Sequence, residues 1–368
     1  MANQLIHTNS SKIFYYSLII LLLSIHAGLR GETNDLDAFA YYGWYNSISF
    51  LSFDGFIDHI TDFGLYYNDG INKFETGFSL IGFLISYLGF TATQFIFICA
   101  FFSIIVKINL LFRNYQDFWI LTLCVLWFLC WQYLLMEMNA VRIAIALSIA
   151  LLGFKHIAEG SKKAITYILI AALFHISAAL LIILLYTSKH PIKNKYNCAL
   201  ILFFSLVVGY MPLNNLVYFL FGGMEKIATY YTGALDGEIF SDFNRFNFLI
   251  LYKLIIFFTL LNFYHIFKHD SIGRLGFHGL LISLSCNFAF ASLPVLAGRL
   301  SELFGFFSVL AIGSFLKNKP KPYIYYFFFF LFCLLQFYAI VYYSRLVNFF
   351  YFLDIQFLNI ELVAPPPV

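Results

Sequence analysis

Charge is scarce in this sequence. Asp, Glu, Lys and Arg make up 11% of its 368 residues, against roughly 25% in an ordinary soluble domain. So few charges cannot cover a water-facing surface, which excludes a soluble enzyme. The net charge is only +3 and the basic residues are scattered along connections, so a nucleic-acid-binding face is not expected. The six cysteines (Cys99, Cys124, Cys130, Cys198, Cys286 and Cys333) all fall inside apolar runs. There they behave as small hydrophobes, and neither a disulfide framework nor zinc spacing is visible. No internal repeat is found, which counts against transporter folds built from paired halves. The first apolar run, from Ile13, lacks a small-residue cleavage site, and the expectation is a retained span and not a signal peptide.

What the chain has instead is apolar length: 61% of it is hydrophobic. Runs such as IFYYSLIILLLSIHAGL, FWILTLCVLWFLCWQYLL and YIYYFFFFLFCLLQFYAIVYY are long enough to cross a hydrocarbon core of about 30 Å. Apolar segments fall at about residues 13–29, 75–89, 91–112, 118–135, 139–157, 164–187, 197–212, 247–267, 275–297, 300–316 and 323–344. The expected fold is an all-α polytopic integral membrane protein, one transmembrane domain with about 9–11 helices. Two long connections, residues 30–74 and 212–246, are expected as extracytoplasmic loops. The tail ELVAPPPV reads as a disordered end.

The lysines constrain the topology. Lys12; Lys155, Lys162 and Lys163; Lys189, Lys193 and Lys195; Lys268 with Arg274; and Lys317, Lys319 and Lys321 should all be cytoplasmic by the positive-inside rule. That demand conflicts with eleven full spans, unless one lysine loop is misplaced, which is the alternative reading. If both flanks of segment 164–187 lie inside, it must enter and leave by one face, and ALFHISAAL at its midpoint is a polar break where two half-helices can turn. Segment 75–89 is about 22 Å long at helical rise, too short to span, and is expected to be re-entrant from the outer face. Arg30, Arg142, Arg245, Arg299 and Arg345 then all stand at or beyond the outer face, opposite the lysines.

Arginine offers a planar fork of donors that suits phosphate oxygens, so converging arginines could form a diphosphate clamp. The plain alternative for each is an interface anchor. Arg142, beside Asn139, and Arg299, beside Ser301 and Glu302, stand among polar residues at the head of otherwise apolar runs. Arg299 and Glu302 could equally form an i, i+3 ion pair. The stretch LRGETNDLDAFAYYGWY combines Arg30, two carboxylates (Asp35 and Asp37) and the aromatics Tyr41, Tyr42, Trp44 and Tyr45. Aromatic faces pack on sugars, and a carboxylate can deprotonate an attacking hydroxyl. An ordinary polar loop is the alternative. Asp-x-Asp is a weak metal signal, and no metal or cofactor is expected. Glu75 opens a helix, where the dipole favours it, and His175 lies within an apolar run, where a histidine is a functional candidate, the alternative being a hydrogen bond to Ser177 or a backbone carbonyl.

The order of these motifs resembles the EpsG family of exopolysaccharide and O-antigen (Wzy-type) polymerases. The matching residues are Arg30, Gly31 and Asp35; Glu75, Gly77 and Phe78; Asn139, Arg142, Ile145 and Ala146; Ala171, Phe174, His175, Ser177 and Ala178; and Arg299 in GRLSELF. RGETND departs from the family in lacking a second glycine after the early arginine. The resemblance implies a glycosyltransferase in the bacterial inner membrane, with its site facing the periplasm or cell exterior. Its substrate would be an undecaprenyl-diphosphate-linked oligosaccharide within membrane lipid, and a polysaccharide chain-length regulator is the protein partner to consider. Similarity to C-type glycosyltransferases places a carboxylate in the first outer loop. On that reading Asp35, Glu75 or His175 carries the catalysis. Arg30, Arg142, Arg299, Asp37, Tyr41, Trp44 and Asn139 hold substrate. Two rivals stay open: a lipid-linked oligosaccharide flippase, and a membrane O-acyltransferase acting through His175.

Overall fold

The computed structural model describes residues 2–29, 36–61, 74–192, 194–211, 248–319 and 323–338. Among these residues all regular structure is helical, without strands, as lipid demands of a spanning chain. The first five helices are α1 (Ala2–Gly28), α2 (Leu36–Ser49), α3 (Phe53–Thr61), α4 (Thr76–Tyr87) and α5 (Ala92–Asn114). Next, α6 (Phe118–Phe128) runs on as a π-helix over Leu129–Glu137. Then follow α7 (Val141–Leu152), α8 (Phe154–Ala158), α9 (Lys163–Ala172), a 3₁₀ turn (Ile176–Leu181), α10 (Ile182–Lys189) and α11 (Lys195–Gly209). The remainder comprises α12 (Phe248–Asn262), α13 (Tyr264–Phe267), α14 (Ser271–Ala289), α15 (Pro294–Gly305), α16 (Phe307–Asn318) and α17 (Tyr323–Tyr338).

The expected apolar segments are helical over most of their described length, with breaks at 173–175 and 290–293. Ala92–Asn114, Phe118–Glu137 and Leu296–Asn318 are long and apolar enough to cross a membrane, and the protein is a polytopic membrane protein. Helix starts follow local chemistry. Thr91 and Gln94 form a reciprocal capping box on α5, and the side chains of Asp117, Asn194 and Asp270 accept from the first amides of α6, α11 and α14. Where helices meet most closely the residues are small. A Cβ on Gly276 of α14 would lie 2.4 Å from the Ala311 amide nitrogen of α16.

The segment between α9 and α10 is a hairpin. Its 27 residues from Lys163 to Lys189 would extend about 40 Å as one helix. Instead Gly160 and Lys189 touch: a Cβ on Gly160 would sit 3.3 Å from the Lys189 Cα. The chain reverses at Leu173–His175, where α9 stops and the 3₁₀ turn begins. Side-chain and backbone contacts then gather the lysine-bearing ends at one end of the bundle. Lys12 Nζ donates to the Gln116 carbonyl at 3.3 Å, Tyr115 Oη to the Leu310 carbonyl at 2.7 Å, Ser314 Oγ to Asp270, and Tyr264 Oη to the Ile192 carbonyl. Both flanks of the hairpin belong to that end.

Two expectations change. The connection 30–74 is not a plain loop, because it contains α2 and α3. Ala38, Tyr41, Tyr42, Trp44, Tyr45 and Ile48 are buried, so what looked like an aromatic loop is a helix docked on α4 and α5. The lysines are also not confined to one end. Lys107 in α5 and Lys253 in α12 are buried within apolar helices. The connection 212–246 lies outside the described residues.

Candidate functional site

At the end of the bundle opposite the lysines, two arginines are each drawn to carboxylates from distant parts of the chain. Arg142, in the first turn of α7, donates from Nη1 to Glu75 Oε2 at 2.6 Å. Glu75 is the N-cap of α4, but its side chain makes no capping hydrogen bond. It turns to Arg142 instead, so the helix dipole is not its main partner. The Arg142 guanidinium lies 4.1 Å from the Phe74 ring centre and 5.9 Å from that of Tyr41, a slot that holds its plane by cation–π contact. Arg299, in α15, bonds Asp37 of α2 and lies 3.6 Å from Glu302 one turn along. The expected local i, i+3 pair is present, and Arg299 also forms a pair that was not expected, across 262 positions of sequence.

The hairpin tip delivers His175 to the first pair. Its Nε2 lies 3.9 Å from Glu75 Oε1. Its Nδ1 is 3.3 Å from the Ser177 amide nitrogen, and an amide can only donate, which makes Nδ1 the acceptor and leaves the ring proton on Nε2, facing Glu75. Gly77 places α4 against this tip. Its N–H donates to the Leu173 carbonyl at 2.8 Å, and a Cβ there would meet that same oxygen at 2.8 Å. Only glycine allows the approach. Tyr41, one turn after Asp37 on α2, lies within electrostatic reach of Arg142, Asp37 and Arg299, linking the two pairs.

These groups are half-buried. The side chains of Arg142 and Glu75 are 18% and 20% exposed, and those of Arg299 and Asp37 are 28% and 32% exposed, enough for a ligand to reach them. Two atoms at the head of α7, Arg142 Nε and Asn139 Oδ1, are buried without a hydrogen-bond partner. Such atoms are costly unless something pairs with them. A donor and an acceptor held this way can engage an anionic oxygen and a hydroxyl.

Not every expected residue sits here. Trp44 is 1% exposed, its ring packed 4.9 Å from Phe74 and 5.0 Å from Phe78, with its edge against Gly82. It is a core residue and offers no open face to a sugar. Tyr41, 3% exposed, is likewise closed to stacking, although it borders both arginines. Arg30, Asp35, Arg245 and Arg345 lie outside the described residues.

Two polar clusters deeper in the bundle were not foreseen. In one, Lys107 pairs with Glu137, both side chains fully buried. In the other, Lys253 Nζ donates to Ser301 Oγ at 2.6 Å and lies 4.1 Å from the Trp131 ring centre, with Asn287 and Ser283 also on Ser301. Ser301 precedes Glu302, so this cluster backs the Arg299 helix. A lysine inside an apolar run was the signal that marked both in the sequence.

The chain matches the EpsG family over residues 13–354 and belongs to it. No curated protein and no solved structure matches the chain.

Proposed function

We propose that this EpsG-family membrane protein is an oligosaccharide repeat-unit polymerase, joining undecaprenyl-diphosphate-linked units at the outer face of the inner membrane. Family membership supports a role in exopolysaccharide assembly. The observation that carries the finer reading is the convergence of Arg142 and Arg299, each with a carboxylate, at the end of the bundle opposite the lysines. By the positive-inside rule that end faces outward.

Glycosyl transfer from a lipid diphosphate needs a base at the acceptor hydroxyl and positive charge at the departing diphosphate. In the proposed reaction the acceptor oxygen bonds to the donor's anomeric carbon and gives its proton to a carboxylate. The bond from that carbon to the diphosphate oxygen breaks, and the diphosphate leaves with the electron pair. Arg142 and Arg299 receive it, exchanging part of their contact with Glu75 and Asp37 for phosphate oxygens. Glu75, released from Arg142 in that exchange and still faced by His175 Nε2–H, is the base favoured among the described residues, and Asp35 remains the other candidate.

The test is the lipid-linked and surface glycan of cells lacking the gene. A polymerase defect leaves single repeat units transferred or accumulated on the outer leaflet. Units retained only on the inner leaflet would overturn the proposal in favour of a flippase. Full-length polymer missing only acyl substituents would overturn it in favour of an acyltransferase.

A further inference from the structure

The Lys107–Glu137 pair lies where charge is most expensive. Both side chains are completely buried, inside helices whose outer faces meet lipid. An ion pair there is a poor source of stability, because desolvation of two charges offsets most of their attraction. Its retention asks for another explanation, and its connections supply one.

Glu137 is the last residue of the π-helix Leu129–Glu137. Its Oε1 is bonded by Lys107 Nζ and lies 2.8 Å from Ser103 Oγ, both on α5. Lys107 Nζ also donates to Ser103 Oγ at 3.0 Å. Ser103 reaches on to α7, 3.1 Å from the Ala144 carbonyl oxygen and 2.9 Å from Ser148 Oγ. One knot of four side chains thus ties together α5, the end of the π-helix and the first eight residues of α7.

The head of α7 lacks a side-chain cap of its own, and besides this knot its anchor is the Arg142 contact with Glu75 and Phe74. Its N-cap is Ala140, which cannot cap through its side chain. What precedes it is the π register, continued by the Met138 amide to the Tyr133 carbonyl at 3.0 Å and the Ala140 amide to the Leu135 carbonyl at 3.2 Å. A nine-residue π-helix is rare. Without a tether it can rewind toward α-helix, which turns every later residue about the axis. Glu137 is the point at which the winding is fixed to α5. Asn139 and Arg142 follow two and five residues later.

We propose that the Lys107–Glu137 pair, with Ser103 and Ser148, is a positioning device that sets the direction in which Asn139 and Arg142 emerge at the head of α7. Lys107 touches no substrate, and its effect on the reaction passes through Arg142. The effect on catalysis rests on Arg142 acting as a diphosphate ligand, whereas the tether itself does not depend on that reading.

Two measurements keep these apart. In K107M/E137M both charges are removed together, so no unpaired ion is left and the protein should accumulate. Hydrogen–deuterium exchange of residues 138–144, in protein held in lipid nanodiscs, should then rise about tenfold while the rest of α5 and α7 is unchanged. Polymer formation from undecaprenyl-diphosphate-linked repeat units should fall about tenfold or more. In an R142K background the same double substitution should add little further loss, because both act through one group. Unchanged exchange over 138–144 overturns the proposal, as does a loss that multiplies fully with that of R142K. Should K107M/E137M fail to accumulate, S103A takes its place. It keeps the ion pair and removes the link to α7, and normal exchange in that variant overturns the proposal equally. Wild-type protein that forms no polymer refutes the polymerase reading instead, and the exchange measurement still decides the tether.

Discussion

Replacing Glu75 by Gln changes one atom's chemistry and almost no volume, yet it strikes two functions that the geometry places on one carboxylate. Oε2 accepts from Arg142 at 2.6 Å, and Oε1 faces His175 Nε2 at 3.9 Å. The amide cannot take a proton from an acceptor hydroxyl, and losing a positioned base costs about 10²- to 10⁴-fold in turnover. It also replaces a charge-assisted contact to Arg142 by a neutral one, a loss of order 1 kcal/mol for a pair whose side chains are 18–20% exposed. That term alone predicts only about a fivefold change. The two contributions therefore separate by size. Glu75→Asp sharpens the distinction, since it keeps the charge and draws the carboxylate back by about 1.5 Å, one carbon–carbon bond. The contact to Arg142 is then broken while the base survives at poorer distance. The expected order of polymer formation, in membranes supplied with purified lipid-linked repeat units, is wild type above Glu75→Asp above Glu75→Gln, the last down by at least a hundredfold. Asp58→Asn serves as the control and should be normal. A Glu75→Gln enzyme within fivefold of wild type at equal protein level would show that Glu75 is only a partner of Arg142, and the base would then be sought at Asp35.

Arg142→Lys and Arg299→Lys should each lose about 10- to 100-fold in the same assay, because a point charge cannot serve two oxygens as the guanidinium fork does; normal polymer from both would reduce these arginines to helix anchors. Gly77→Ala should lower activity by up to about 100-fold by pushing α4 off the Leu173 carbonyl and Glu75 away from His175, whereas Gly43→Ala, where a Cβ meets nothing within 4 Å, should be neutral in the same measurement. In a background without native cysteines, probes at Ser161 and Asn194 should both resist an impermeant thiol reagent in intact cells and both label in inverted vesicles. Labelling of one from outside and the other from inside would refute the hairpin.

Much of the architecture was legible before any coordinates. Helix positions followed from apolar length, because a chain in lipid must satisfy its own backbone, and helices are the open-ended way to do so. The hairpin at His175 followed from lysine distribution, since charge placement at the membrane surface is a one-dimensional property that a sequence displays directly. Arg142, Arg299, Glu75 and His175 stood out for a related reason: a polar group in an apolar run is conspicuous whatever surrounds it.

Pairing was not legible. That Arg299 would meet Asp37, and Arg142 would meet Glu75 and not water, depends on how α2, α4, α7 and α15 pack, and no local pattern encodes a contact across 262 positions. The same limit explains why Trp44 and Tyr41 read as an open sugar platform. Their spacing fits a loop surface or a buried helix face equally well, and only the presence of Phe74, Phe78 and Gly82 opposite them decided for burial. Lys107 and Glu137 are charges in or beside apolar runs, and nothing in the sequence pairs them. The sequence by itself determined which residues carry charge into the membrane, because desolvation acts on each group separately. Tertiary structure alone decided which charges neutralise one another, because Coulomb attraction acts on distances that exist only once the helices are packed.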